Sequence, residues 1–454
     1  MSRRIAIIGG GAAAATVLIE LLERQTPHAL HLDWYTGGRT PGRGVAYQTL
    51  SPRHLLNVRA ASMSMFTGKP RGFLDFLKQD DPTIQGTDFV PRHRYGDYLD
   101  AEIARLQKRH RTHGHDVNII PFAVDAVVPE TNRVTVIHGE RSRPADAAVL
   151  ALGALPPRPL PGVDSKALAR GRYVVDPWPL LANPAVQQPA PEHIVVLGLG
   201  LTAIDVIVEL AARWPQARFT AISRHGLLPE AHLARTAAPP DDSAELVAAM
   251  HDVPDIRHWM HLLRDAITEQ NNWRPTLDSL RPHIPELWTT LSPEHRARFL
   301  RHVRWAWDRA RHRMPPQIDT SIRQLQAEGR LQCLRGRMHS VQGDESKLQL
   351  QLGHADQSRT LHADLVIQAT GLDTDAAQSP HRLIEQLLTN GHVIADPFGL
   401  GLQTDDVGRL HHHERIWPNF YAIGSLRRGT SWESTAMPEI SQQAQRITDQ
   451  LLGA

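Results

Sequence analysis

The sequence predicts an α/β protein built from two Rossmann-like dinucleotide-binding domains with a helical insertion, on three observations. An apolar strand running into a glycine turn and a helix occurs twice, from Arg4 to Ala14 and from His193 to Ala203. Two other segments, ADAAVLALGA (Ala145–Ala154) and ADLVIQATGL (Ala363–Leu372), each set an aspartate before an apolar strand that ends in a small residue and glycine. The length of 454 residues exceeds what one hydrophobic core serves and suits two or three domains.

In the first unit the strand Arg4–Ile8 leads into Gly9, Gly11 and Ala14, the spacing GxGxxG/A. Gly9 permits the tight turn, Gly11 lets a pyrophosphate approach the backbone, and Ala14 lets the helix pack closely on the strand. The phosphate then meets free amides and the positive end of a helix dipole. The second strand, Leu30–Tyr35, is followed by Thr36 where an acid that holds ribose hydroxyls is expected, which weakens that one contact. The same opening imitates a secretory leader, with Arg3 and Arg4 before an apolar run. Three consecutive glycines interrupt the run, and Leu18, Leu21 and Leu22 continue it as an amphipathic helix, so a cytoplasmic protein without membrane spans is expected.

The second unit repeats the pattern with Gly198, Gly200, Thr202 and Ala203 after the strand His193–Leu197. Its next strand, Arg218–Ile222, ends in Ser223 and Arg224 in place of Asp or Glu. A hydroxyl and a guanidinium suit a 2′-phosphate and favour NADPH over NADH. The strand ends at Gly153 and Gly371 let the chain pass close to a dinucleotide and cross between domains.

Composition bounds the function. Against 50 Lys and Arg stand 48 Asp and Glu, and 41% of residues are hydrophobic, which excludes a polyanion binder by bulk charge and a disordered chain. A nucleic-acid partner is not expected. The single cysteine, Cys333, rules out a disulfide framework, a CxxC redox pair and a multi-cysteine zinc site. No metal is expected from the histidines either. His411, His412 and His413 are adjacent and alternate faces on a strand, and His110, His113 and His115 fall in a polar loop.

Between 241 and 316 the pattern is helical. Asp242 and Glu245 form a capping-box-like start, with Leu246, Val247 and Met250 as the apolar face. Phe299, Val303 and Trp307 recur at i, i+4, i+8 as core, and His302, Trp305, Arg309 and His312 lie on another face. Seven arginines and one acid between Arg296 and Arg313 suit a solvated face or an anionic-substrate site better than an RNA stripe. At the end of the chain Ile440, Ala444, Ile447 and Leu451 recur at helical spacing, with Pro438 acceptable in the first turn.

With the two glycine motifs, the segments PGRGVAYQTLSPRHLLNVRAASM, FVPRHRYGDYL, GLGLTAIDV, ISRHGLLPEAH and LRRGTSWESTAMPE and a late YAIG resemble the FAD/NAD(P)-binding family of bacterial flavoproteins. The chain is similar more distantly to flavin-containing monooxygenases and to lysine and ornithine N-hydroxylases. The resemblance implies a two-dinucleotide flavoprotein fold with FAD in the first unit and NADPH in the second. It implies a discontinuous FAD domain, 1–161 and 373–454, with the NADPH domain, 162–372, inserted through the proline-rich linker Pro156–Pro161. Cofactor contacts are implied at Tyr47, Asn57, Met63, Val124, Gly153, Thr370, Gly371, Gly424 and Trp432. The amides of Thr435 and Ala436, at the start of the last helix, are implied to face the flavin pyrimidine. The absent CxxC separates the chain from disulfide reductases, and GRYVVDPWPL stands where flavin-containing monooxygenases carry FxGxxxH.

The implied reaction is reduction of FAD by NADPH and transfer of oxygen from dioxygen to a small nucleophilic substrate such as an amine. Two alternatives stay open: an NADPH-dependent flavin reductase or dehydrogenase, and a non-enzymatic flavin or nucleotide redox sensor. Asn57, as a hydrogen-bond donor, and Glu433, as a proton acceptor or partner of a cation, are the catalytic candidates. Their structural alternatives are a pinned turn for Asn57 and a helix cap for Glu433.

Overall fold

Two parallel sheets organise the chain in a computed structural model that describes residues 2–26, 28–110, 114–183, 190–233, 243–270, 273–343, 347–354 and 357–453. The first sheet has the spatial order Arg409–His412, Arg415–Ala422, Ala147–Leu150, Arg3–Ile8, Leu30–Tyr35, Asp116–Ile120. All its pairs are parallel except the edge pair formed by the first two strands. The second sheet runs Leu331–Arg335, Arg218–Ser223, His193–Leu197, Leu365–Gln368, Tyr173–Val174, parallel throughout. Their central strands are near-continuous apolar runs because helices and smaller sheets cover both faces. Ala147–Leu150 and Leu365–Gln368 are buried at every position. Each parallel sheet is accompanied by a three-stranded antiparallel sheet, one within 126–145 and one within 337–363. Val134–His138 and Leu348–His354 alternate buried and half-buried residues, as strands with one face on the core do.

Helix Ala12–Glu23 packs between the first sheet and the last helix, Met437–Leu452, whose Ile440, Ala444, Ile447 and Leu451 are all buried in that core. Between strands Arg218–Ser223 and Leu331–Arg335 in the chain, helices from Ser243 to Arg311 form a separate apolar cluster. Leu246, Val247 and Met250 are buried there as expected; Asp241 and Asp242 lie outside the described residues, and Glu245 occupies the first turn of Ser243–Asp252. The stretch expected as one helix around Phe299 is three pieces: Pro293–Arg298, a π-helical turn at Phe299–Val303, and Arg304–Arg311. The Arg304 amide reaches back five residues to the Phe299 carbonyl. A spacing of four overshoots an α-turn and falls short of the wider π-turn, so the two deviations offset and Phe299, Val303 and Trp307 keep to one core.

The two chain crossings between the sheets run side by side. Leu155 forms an isolated antiparallel bridge with Asp373, and the Arg158 guanidinium donates to the Asp373 carboxylate at 2.7 and 3.2 Å. Among the described residues no helix is long and apolar enough to cross a membrane, and no three His, Cys, Asp or Glu converge as a metal site. His113 lies outside the described residues, His412 stacks on Trp417 at 3.7 Å, and His413 occupies a turn with φ 47°.

Candidate functional site

The two glycine turns share one construction. Gly9 has φ 135° and Gly198 φ 122°, and a β-carbon at either would stand 2.1 Å from the Ala151 carbonyl oxygen or 2.2 Å from that of Ala369. The Gly9 amide donates to Tyr35 and the Gly198 amide to Ile222; Ala151 donates to Ile8 and Ala369 to Leu197, all at 2.8–2.9 Å. The ALG and ATG strand ends therefore cross directly against the first glycine of each turn, which explains why small residues stand there. Gly153 and Gly371 then turn the chain away with φ 71° and 91°.

Gly11 and Gly200 cap helices Ala12–Glu23 and Leu201–Arg213, neither with a side-chain cap, so the first-turn amides are available to an anion. A β-carbon at Gly200 meets nothing within 4 Å, and one at Gly11 only the Gly44 α-carbon at 3.7 Å. Ala14 and Ala203 are fully buried under the helices, and Thr202 is half-buried in the first turn. The loop that frames the first turn carries the start of PGRGVAYQTLSPRHLLNVRAASM, which had no structural role assigned from sequence. Gly42 donates to the Gly10 carbonyl at 3.0 Å, and the Arg39 β-carbon lies 3.2 Å from where one on Gly10 would stand.

At the ends of the second strands the units differ. Thr36 is buried and its amide donates to Ile120. Ser223 Oγ accepts from the Gly226 amide at 3.0 Å and pins the turn, while Arg224 is exposed. Arg335 pairs in register with Ser223 on the neighbouring strand. Burial first, then Arg224 and Arg335, push the His225 imidazole below its usual range, and its ring stacks on Trp305 at 4.2 Å. A basic, aromatic corner results at the strand end.

Asn57 lies where the two nucleotide units meet. Its carbonyl accepts from His232 Nε2 at 3.1 Å, and Arg59 donates to the Leu233 carbonyl at 2.7 Å. Burial holds His232 down to about 4, and its ring lies against Phe89. Beside it Arg92 pairs with Asp205 at 2.8 Å, and Thr49 Oγ1 lies 2.7 Å from His54 Nδ1. Tyr47 packs on Tyr95 at 4.7 Å, with its hydroxyl pushed up to about 12 by burial. Met63 and Val124 are core side chains on opposite faces of the first sheet, so what they offer a ligand is backbone.

The segment before the last helix is held by the helical insertion. Gly424, φ 78°, donates to Gln443 Oε1 at 2.9 Å and faces Ala13. Ala436 caps Met437–Leu452 without a side-chain cap, and Thr435 is exposed. Trp432 is buried between Trp288 and Phe299, with ring centroids 5.2 and 5.1 Å away. The Arg428 guanidinium lies 4.4 Å over the Trp432 ring, and its side chain has no hydrogen bond or ion pair among the described residues. Glu433 Oε2 accepts from Arg311 at 3.0 and 3.1 Å, and Oε1 from Trp307 Nε1 at 3.2 Å. Both oxygens are engaged by the insertion, and the last helix has no side-chain cap, so Glu433 does not cap it. Arg281 grips Glu439, in the first turn of the same helix, at 2.7 and 3.0 Å.

Residues 6–155 match the model of an FAD-NAD(P)-binding family. Among solved structures the chain is similar to the ornithine N-hydroxylase of Kutzneria sp. 744, with TM-score 0.68 and 16% identity over 98% of both chains. It is also similar to the desferrioxamine-pathway cadaverine monooxygenase of Erwinia amylovora, TM-score 0.67 and 14% identity over 99% of this chain and 94% of that one. The L-lysine 6-monooxygenase of Pseudomonas syringae aligns at TM-score 0.63 and 16% identity over 100% and 99%. No curated protein matches the sequence. The fold is the two-dinucleotide flavoprotein fold with parallel sheets.

The structure thus gathers most of the sequence candidates into four places: the two glycine turns with their crossing strands, the Asn57 contact between the units, and the start of the last helix; Ser223 and Arg224 stand apart at the end of their strand, and Met63 and Val124 are core side chains. Arg335, Asp205, Arg92, Arg311 and Arg281 were missed. Asp205 and Arg92 lie in the segments GLGLTAIDV and FVPRHRYGDYL and Arg311 in the arginine-rich stretch, but their partners are far along the chain, so no role could be assigned to them from sequence.

Proposed function

We propose that the chain is an FAD- and NADPH-dependent monooxygenase that places one oxygen atom of dioxygen on the nitrogen of a small amine. The observation that carries this reading is the alignment over nearly both full chains with an ornithine N-hydroxylase, in a chain that keeps two glycine turns of identical construction. The turns fit the cofactors physically. Each offers uncapped amides at a helix start and open space above Gly11 or Gly200, where a diphosphate needs both.

In this reading Gly9, Gly11, Ala14, Gly153 and Gly424, with the amides of Thr435 and Ala436, hold FAD in a domain of 1–161 and 373–454. Gly198, Gly200, Thr202, Ala203, Thr370 and Gly371 hold NADPH in 162–372, with Ser223 shaping the turn that presents Arg224 to the 2′-phosphate. Bound together, the cofactors supply hydride transfer and the activation of dioxygen. The overall reaction consumes an amine, dioxygen, NADPH and a proton; an N–H becomes N–OH, NADPH becomes NADP⁺, and the second oxygen leaves as water.

The protein's part is positional. Asn57, fixed by its carbonyl to His232, stands at the junction of the units with its side-chain amide as a donor. Glu433 acts through Arg311 and Trp307 to fix Trp432 and the helix start, a positioning role in place of proton transfer. Tyr47, Met63 and Val124 wall the first unit. The test is to release and identify the flavin of the purified protein, then compare NADPH consumption with hydroxylamine formed across a set of primary amines. Equal amounts with one amine class support the reading; FAD-free protein, or NADPH consumption that no amine couples to product, overturns it.

A further inference from the structure

Helices of the insertion line a partly open cavity of about 460 Å³. That volume falls within the range of small-molecule sites, roughly 300–1,000 Å³. Its walls are apolar, with Trp259, Trp273, Trp288, Phe299, Trp307 and Trp432 set among leucine, isoleucine and methionine side chains. The indole N–H groups of three of them are already used. Trp259 donates to the Met250 carbonyl and Trp288 to that of Gly429, both at 2.7 Å, and Trp307 donates to Glu433. Those three indoles have no donor left for a ligand and present carbon to the cavity. Glu230, the one acid on the lining among the described residues, is paired with Arg274 at 3.3 Å and with Arg309.

Apolar walls of this kind gain when an apolar ligand covers them, because the ligand replaces water held against carbon with van der Waals partners. Polar groups on the lining are few, namely Glu230, Arg264, Thr268 and Arg309, so a zwitterionic amino acid recovers little of its lost hydration there, whereas an apolar amine has less to give up. The π-helical turn Phe299–Val303 contributes two residues to the wall, and turns of this type recur at functional sites. Trp432 joins the cavity to the reaction site: it lines the cavity and stands four residues before Ala436, the cap of the last helix.

We propose that this cavity houses the body of the substrate and that the substrate is therefore a primary amine carrying an aromatic or branched aliphatic group, unlike a free diamine or basic amino acid. The inference rests on the amine-oxygenating reading and names its substrate class. The apolar body sits among the tryptophans, and the amine end points along the Trp432 wall toward the start of the last helix.

The test uses the flavin-loaded protein and needs no turnover. 2-Phenylethylamine and isoamylamine are titrated against L-lysine, L-ornithine and cadaverine, following tryptophan emission and the thermal midpoint. The expected result is saturable binding of the two apolar amines, at least about tenfold tighter than any of the three polar ones, a difference of ~1.4 kcal/mol. Ala306→Trp, from a lining position, should fill the cavity and abolish this binding while FAD is retained; Leu263→Trp, on a different helix, serves if the first variant loses its flavin. Equal or tighter binding of a polar amine, no saturable binding of either apolar amine, or full affinity in a flavin-loaded filled variant overturns the proposal. Apolar amines that bind but are never oxygenated would overturn the monooxygenase reading alone. Oxygenation of lysine or ornithine without apolar binding overturns the cavity assignment alone.

Discussion

At the scale of single residues the glycines divide into those the fold needs and those a ligand needs. Gly9 and Gly198 have positive φ and a backbone oxygen where a β-carbon would go, so any side chain there disrupts the turn itself. Gly200 has φ −84°, ordinary for any residue, and an added methyl meets no protein atom within 4 Å. Gly200→Ala should therefore fold and keep its FAD, yet raise the KM for NADPH by about tenfold or more, because only the bound pyrophosphate occupies that space. Unchanged NADPH kinetics in the folded variant would remove the second turn from the coenzyme site. Gly11→Arg makes the same distinction for FAD.

Arg224 is exposed at the strand end beside Arg335. A charge-assisted hydrogen bond is worth about 1.5–3 kcal/mol, so Arg224→Ala should weaken NADPH by roughly 10- to 100-fold while leaving NADH nearly unaffected. An equal loss for both coenzymes means that Arg224 does not read the 2′-phosphate. Arg224 was legible because it follows the strand in sequence. Arg335 was not, because only the parallel pairing of strands far apart in the chain sets it opposite Ser223.

At the scale of elements, the insertion is clamped to the last helix by Arg311–Glu433 and Arg281–Glu439. The side chains of the first pair are only 14% and 10% exposed. Removing one partner of such a pair leaves the other charge buried, at a cost of about 3–5 kcal/mol. Glu433→Gln should lower stability by an amount near the bottom of that range, and Arg311→Met with Glu433→Gln should recover much of it in a double-mutant cycle. Additive losses would show that the two residues act independently. The helices themselves could be read from their apolar spacing. The π-turn that splits one of them leaves no mark in residue type, since it is a shift of backbone hydrogen bonds alone.

The contact between His232 and Asn57 carries a pH signature. The imidazole titrates near 6.5 when unfolded and at about 4 when folded, because burial disfavours its charge. Below pH 6.5 the unfolded chain binds the proton first, so this contribution, roughly 3 kcal/mol, is present above that pH and lost as the pH falls to about 4. His232→Gln keeps an N–H donor for the Asn57 carbonyl and should flatten this acid limb in a thermal-midpoint profile. An unchanged limb in the variant assigns it to other groups.

At the scale of the whole molecule, the strand–turn–helix starts of both parallel sheets follow from motifs that report on their neighbours in sequence, whereas the pairing of the late YAIG strand with Ala147–Leu150 is seen only in the fold. The glycine spacing demands a strand before and a helix after, and the ATG-like ends demand a turn to cross. What the sequence left open is how the parts meet. The insertion closes on the last helix through side chains separated by more than a hundred positions, and no local pattern encodes their distance. Glu433 illustrates this, since its carboxylate looked available in sequence and both its oxygens are occupied in the fold.

The central claim, that NADPH-derived electrons drive one atom of dioxygen onto an amine, is tested most directly by turnover under isotopically labelled dioxygen with NADPH and an apolar primary amine. Mass spectrometry of the product should find one labelled oxygen on the amine nitrogen for each NADPH consumed, with the second atom in water. NADPH consumption that yields only labelled hydrogen peroxide with every amine, or a hydroxylated product whose oxygen is unlabelled, would contradict it.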